Sequence, residues 1–154
     1  MRKAPAILII ITIIAVIFGF KYYFVDYQNN NQIQPDNTFV IKVGSLEFKS
    51  EVMDTPELKA KGLSGKTGLE ADQAMLFTYD QPGNYCFWMK DMLFSIDMIW
   101  LNMDKTINTI HKNVSPDTYP DQSFCPVTPA QYIVEVAAGT ADANNWQKDT
   151  QFSF

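Results

Sequence analysis

The chain has 154 residues, of which 47% are hydrophobic, 14% aromatic and 19% charged. This length allows one compact domain, and the composition excludes an intrinsically disordered chain. From residue 38 onward the sequence contains nine lysines, no arginine and 15 acidic residues. Nucleic-acid binders carry a basic surface, so this acidic, arginine-free region excludes nucleic acid as a partner.

Residues 4–25 form an apolar run that contains one charge, Lys21, and follows the basic start Met1-Arg2-Lys3. A helix of about 22 residues is long enough to cross the hydrocarbon core of a membrane. The basic residues before it favour a cytoplasmic N-terminus. The sequence therefore predicts a cytoplasmic tail (1–3) and a single-pass signal-anchor helix (4–25) in the cell (inner) membrane, followed by an extracytoplasmic domain.

Two alternatives to the anchor are a cleaved signal peptide and a buried core helix. Cleavage requires small residues before the cut site, and no such pattern ends the run. Residues 26–37 are polar, rich in Asn and Gln, and lack a helical or strand periodicity. This composition predicts a flexible tether between the membrane helix and a domain over residues 38–154.

The first part of that domain shows hairpin and helix signals. Residues 39–43 and 45–53 flank Gly44, and the second run alternates hydrophobic and charged residues. This alternation indicates a half-buried strand of a hairpin. Thr55-Pro56-Glu57 is typical of a helix start, and Gly62 is typical of its end, so a two-turn helix is predicted between them.

Further strands are predicted from apolar runs separated by turn residues, at 74–79, 85–90, 95–101, 106–111, 131–137 and 151–154. The predicted turn 80–84 contains Pro and Gly, and residues 139–145 predict a second short helix. Four prolines in 113–129 exclude a central strand and predict an ordered loop. We therefore expect a mainly β domain, a compact barrel-like sheet of about seven or eight short strands with two short helices.

Several motifs together resemble one family. Phe87-Trp88-Met89-Lys90-Asp91-Met92, followed by Ile96-Asp97-Met98-Ile99-Trp100-Leu101, resembles the central motif of the DUF192 (UPF0127) family of largely uncharacterised small prokaryotic domains. Thr55-Pro56-Glu57, Ala74-Met75-Leu76-Phe77 and Tyr132-Ile133-Val134-Glu135-Val136 match further family segments in order. The resemblance covers nearly all of 38–154. It implies a compact, mostly β fold and supplies no accepted activity.

The candidate ligand-binding residues are Trp88, Lys90, Asp91, Asp97 and Glu135. Asp97 and Glu135 each lie within an apolar strand, where burial of a lone carboxylate is costly. On a strand, Trp88 and Lys90 share one face. In one interpretation Lys90 forms an ion pair with an acid, with Asp97 expected on the neighbouring antiparallel strand. In the other, these side chains line a polar cleft with Trp88 as its floor.

Cys86 and Cys125 are the two cysteines of a domain predicted to be exported. They form a disulfide or remain two buried thiols, and a catalytic cysteine lacks an evident histidine partner. His111 is the one histidine, and no His, Cys and Asp residues have metal-ligand spacing, so neither a metal nor a cofactor is predicted.

Three functions remain open at this stage. The first is a non-enzymatic binding or accessory module at the cell envelope, for a sugar or another small polar ligand. The second is a hydrolase of an envelope glycan that uses Asp97 and Glu135 as acid and base, which requires a suitable separation of the two carboxyl groups. The third is a structural partner of an envelope protein in a membrane complex.

Overall fold

A computed structural model describes residues 39–154, which form a mainly β domain. Within this range seven strands make one curled half-barrel sheet with two short helices. The strands are β1 (Phe39–Val43), β2 (Leu46–Met53), β3 (Gln73–Gly83), β4 (Ile96–Leu101), β5 (Ile107–Val114), β6 (Ala130–Ala137) and β7 (Phe152–Ser153), and the helices are α1 (Pro56–Lys61) and α2 (Thr140–Ala143). The predicted mainly β class with two short helices is confirmed.

The expected tail (1–3), membrane anchor (4–25) and tether (26–37) lie outside the described residues. Within 39–154, no helix combines the length and the apolar character needed to span a membrane. The membrane part of the expected architecture therefore stays a prediction.

The sheet has the strand order β5-β4-β6-β3-β2-β1-β7. Strands β2 and β3 are parallel, and the other neighbouring strands are antiparallel. The two ends of the sheet meet, because Thr106 forms a bridge with Gln151 and the Ile107 amide donates to the Thr150 carbonyl at 2.9 Å. These contacts join the edge strands β5 and β7 at one end of the half-barrel.

Side chains alternate between two apolar clusters, one on each face of the sheet. In β4, Met98 and Trp100 belong to one cluster, whereas Ile99 and Leu101 belong to the other. The first cluster includes Met89, which belongs to the segment 84–94 that is described next as the strap, and we call its side of the sheet the strap face. The second cluster includes Ala141, and we call its side the α2 face. All six residues of β4 are buried, so a charged side chain on either face of this strand would be shielded from water.

Residues 84–94, here called the strap, cross the strap face without joining the sheet. The predicted strand at 85–90 and turn at 80–84 are wrong, because β3 continues to Gly83 with an irregular register after Thr78. The strap has a bridge between Phe87 and Phe124. Met89 is 1% exposed and packs against the sheet. Its burial gives the sequence of the strap the alternating pattern of a strand, although the strap does not pair with a strand of the sheet.

Residues 115–129, here called the cover loop, run beside β5 and reach the strap. The Val127 amide donates to Thr109 Oγ1 at 2.9 Å, and His111 Nε2 is 3.0 Å from the Cys125 carbonyl oxygen. A disulfide joins Cys125 to Cys86 of the strap. Of the alternatives left open by the sequence, the structure therefore contains the disulfide.

Candidate functional site

A cavity of about 560 Å³ opens between α1 and the strap. Its volume lies in the range of small-molecule sites. Helix α1, strand β3, the strap and strand β6 supply the lining, which includes Lys59, Lys61, Phe77, Tyr79, Trp88, Lys90, Asp91 and Glu135.

The α1 wall begins and ends as the sequence predicts. The Thr55 hydroxyl caps the helix by accepting from the Leu58 amide at 3.2 Å, and Pro56 occupies the first turn. Gly62 ends the helix with a φ of +46°, and a Cβ placed there would lie 3.2 Å from Phe77 Cζ. This glycine therefore lets α1 approach β3 closely.

The strap wall is held to the loop that follows α1 by hydrogen bonds to two strap carbonyls. Ser64 Oγ donates to the Lys90 carbonyl at 2.9 Å, and the Gly65 amide donates to the Asp91 carbonyl at 2.9 Å. The buried Trp100 fixes the start of the strap, since its Nε1 donates to the Tyr85 carbonyl at 2.8 Å. The cavity is therefore bounded by elements with defined contacts.

Glu135 contributes a buried carboxyl group to the lining. The residues opposite it on the two neighbouring strands are Met75 of β3 and Met98 of β4, and Glu135 is 5% exposed. Its Oε2 has no hydrogen-bond partner among residues 39–154. Burial raises the pKa of Glu135 from 4.5 to about 8, because the apolar surroundings disfavour the charged form. At neutral pH this side chain is therefore a carboxylic acid.

Tyr79 forms an aromatic surface beside Glu135. Its ring stacks on Tyr85 with a centroid distance of 3.5 Å, and Lys59 Nζ lies 4.4 Å from the Tyr79 ring centroid. Burial raises the pKa of Tyr79, and the charges of Tyr85 and Glu135 add to this effect. The phenol is therefore neutral at physiological pH.

Asp97 does not line the cavity. It lies opposite Val136 on the α2 face, and it is fully buried. Its Oδ1 accepts from the amides of Asn113 at 2.8 Å and Gly139 at 3.2 Å, and its Oδ2 accepts from the Ala141 amide at 2.8 Å. These bonds fix the end of β5 and the start of α2.

The structure therefore does not bring Asp97 together with Lys90 or Glu135. None of the ion pairs between described residues involves Lys90, which lies on the strap rather than on a strand next to β4. The expected Lys90–Asp97 pair is thus not formed, and the sheet separates Asp97 from Glu135. Hydrolysis of a glycan by these two acids would require both carboxyl groups to flank the same glycosidic bond.

Four of the five sequence candidates line the cavity, namely Trp88, Lys90, Asp91 and Glu135. The sequence prediction missed the contributions of α1 and β3, which are Lys59, Lys61 and Tyr79. The capped α1 and its basic last turn were readable as local signals, but their position beside the strap was not. Among residues 39–154 there is no cluster of three or more His, Cys, Asp or Glu side chains suited to a metal ion.

Comparisons with known proteins identify the fold and the family. The sequence model of DUF192, described as an uncharacterised ACR, matches residues 39–154. A protein of unknown function from Novosphingobium aromaticivorans has a similar structure, with a TM-score of 0.70 and 24% identity over 75% of this chain and 84% of that one. A protein from Sinorhizobium meliloti, provisionally assigned as a transcription regulator, gives a TM-score of 0.67 and 24% identity over 74% and 89%.

At this identity the likeness shows the fold alone. No curated protein matches the sequence.

Proposed function

The chain belongs to the DUF192 family, and from this premise we propose that residues 39–154 form a non-enzymatic domain that binds a small polar ligand, a sugar being the favoured class. In this proposal residues 4–25 anchor the protein in the membrane and the domain acts at the cell envelope. The cavity between α1 and the strap is the binding site.

The observation that carries the proposal is the state of Glu135. Leaving a buried polar atom without a hydrogen bond costs about 1–3 kcal/mol, yet Oε2 of this residue has no partner within the described part of the chain. A ligand hydroxyl in the cavity would satisfy it. A protonated carboxyl group both donates and accepts, which suits the hydroxyl groups of a sugar.

Trp88 supplies the second element of such a site. Its side chain is 62% exposed although it lines the cavity. An aromatic ring at the rim offers an apolar face to a sugar ring while the polar groups fix its orientation. Binding is favoured over hydrolysis because Asp97, the acid that would complement Glu135 in catalysis, lies on the other face of the sheet.

The proposal is tested by a thermal-shift screen of the full-length protein with neutral and acidic monosaccharides. A ligand that binds the folded state raises the melting midpoint by mass action. We expect a sugar to raise it, and we expect Trp88→Ala to lose this response. Leu93→Ala is the matched control, because Leu93 lies on the same strap and is 63% exposed.

Two results would contradict the proposal. One is a screen in which no sugar raises the melting midpoint of the wild-type protein. The other is a Trp88→Ala variant with the full wild-type response, which would place the ligand away from the cavity.

A further inference from the structure

We infer that the ligand of this cavity carries a carboxylate, as in an acidic sugar of the uronic acid class, and that the lysines of both walls together with Glu135 hold this group. The inference rests on the binding function proposed above and specifies its substrate class.

Seven of the nine lysines of the domain fall into two groups with different surroundings. The region after residue 38 is acidic, with 15 acids against nine lysines, and four of its lysines form surface ion pairs: Lys42–Glu47, Lys49–Asp72, Lys66–Glu51 and Lys112–Asp142. Lys59, Lys61 and Lys90 instead line the cavity. None of these three takes part in an ion pair with a residue of the described range. Three lysines without an ion-pair partner in the described range therefore lie together at the cavity, whereas Lys105 and Lys148, which are also absent from these pairs, lie outside its lining.

The cavity lysines approach from opposite walls. Lys59 and Lys61 belong to the last turn of α1, and Lys90 belongs to the strap. Lys59 Nζ is held by the Asp54 carbonyl at 2.9 Å, which positions its charge without neutralising it. The strap also contributes Asp91 to the lining, so the three ammonium groups still outnumber the one ionised carboxylate when Glu135 is protonated. An anion between the walls would meet positive charge on both sides.

Glu135 can donate a hydrogen bond to the same anion. A protonated carboxyl group donates an O–H to a carboxylate, and hydrogen bonds to charged acceptors are about twice as strong as neutral ones. Burial keeps the proton on this side chain, with a pKa of about 8. The charged and titratable groups that share the cavity with it are Lys59 and Lys61 of α1, Tyr79 of β3, and Lys90 and Asp91 of the strap.

This arrangement gives a distinctive pH dependence. Above pH about 8 Glu135 ionises, and two carboxylates in one cavity repel each other. Tyr79 stays neutral over this interval, because burial raises its pKa. Affinity for an acidic sugar should therefore fall as the pH rises through 8, whereas affinity for a neutral sugar should not fall in this way.

The test is calorimetric titration of the full-length protein with matched pairs, galacturonate against galactose and glucuronate against glucose. At pH about 6.5 we expect one of the acids to bind at least about tenfold more tightly than its neutral partner. At pH about 9 the same acid should bind about tenfold more weakly than it does at pH about 6.5. The Glu135→Gln variant keeps an N–H donor at this position and should bind the acidic sugar without losing affinity at high pH.

Charge variants locate the effect. Lys61→Gln and Lys90→Gln should each weaken binding of the acid by about five- to tenfold, and Lys90→Arg should retain it. Lys49→Gln is the control, because Lys49 is an exposed lysine paired with Asp72 outside the cavity.

The possible failures are distinguishable. Neutral sugars that bind as tightly as their acids, or acid binding unchanged in both Lys61→Gln and Lys90→Gln, would overturn the inference and leave the proposed binding function intact. Absence of binding by all four sugars would overturn both.

Discussion

Glu135 lies directly opposite Met98 across the β4–β6 ladder, whereas Asp97 lies opposite Val136. Because successive side chains of a strand point to opposite faces, the two buried acids are on opposite sides of the sheet. Asp97 accepts three backbone hydrogen bonds, and Glu135 Oε2 accepts none from residues 39–154. Two acids of similar sequence context therefore have different roles, one structural and one available to a ligand.

Asp97→Asn should destabilise the domain by about 2–4 kcal/mol. The amide nitrogen cannot accept a hydrogen bond, so at least one of the three backbone amides loses its acceptor inside the protein. The change is measured by urea unfolding, as a lower midpoint with an unchanged slope. Asp121→Asn, at an exposed position, is the matched control. A loss below about 1 kcal/mol for Asp97→Asn would contradict the assigned role.

Glu135→Gln should remove one component of the pH dependence of stability. The pKa of Glu135 is raised from 4.5 to about 8 in the folded protein, so between these values the folded state retains a proton that the unfolded state releases. This contribution to the free energy of unfolding is complete below pH about 4.5 and is lost as pH rises through about 8, by an amount on the order of 5 kcal/mol.

Urea unfolding of wild type and Glu135→Gln at pH about 5, 6.5 and 8 measures this component as the difference between the two profiles. Glu70→Gln, at an exposed acid, should follow the wild-type profile. Parallel profiles for wild type and Glu135→Gln would show that the side chain is ionised in the folded protein.

Removing the disulfide should lower stability substantially. Cys86 and Cys125 are separated by 39 positions, and closing a loop of this length is worth about 4 kcal/mol in the chain-entropy account. We expect Cys86→Ser/Cys125→Ser to melt at least about 5 °C below wild type, and a reductant to have the same effect on wild type. The reductant should not shift the double variant. Equal melting of wild type with and without reductant would contradict the prediction.

Gly62→Ala should lower the free energy of unfolding by about 2 kcal/mol or more, because it combines an unfavourable φ of +46° with a Cβ contact of 3.2 Å to Phe77. Two other glycines separate these causes. Gly65 has a φ of +75° and open space around its Cβ position, and Gly68 has open space without a positive φ. Urea unfolding should rank the losses Gly62→Ala, then Gly65→Ala, then Gly68→Ala. A loss at Gly62 no larger than that at Gly68 would contradict the close approach of α1.

The parts of the fold that follow from local pattern were predictable from the sequence. The alternation of β4 and the capped start of α1 at Thr55 depend on residues near one another in the chain. The strap was misread because Met89 is buried between exposed neighbours, which imitates a strand although the strap crosses the sheet instead of pairing within it.

The site was predictable only in part, because its assembly is a tertiary property. Glu135 was identifiable as an acid in an apolar run, but its face relative to Asp97 depends on the register of β4 and β6, which the sequence of either strand does not give. Lys61 was missed because its place in the lining depends on how α1 meets the strap, through the bonds from Ser64 and Gly65.

The cover loop has a consequence for self-association. An open strand edge presents unpaired backbone groups on which another chain can add a strand. Here side-chain hydrogen bonds to the loop occupy the outer edge of β5: the Val127 amide donates to Thr109 Oγ1, and Asn108 Nδ2 donates to Thr128 Oγ1 at 2.7 Å. The four prolines of the loop lack the amide needed to extend a sheet. The Cys86–Cys125 bond also ties this loop to the strap, so the loop that occupies the β5 edge keeps a second chain from adding a strand there.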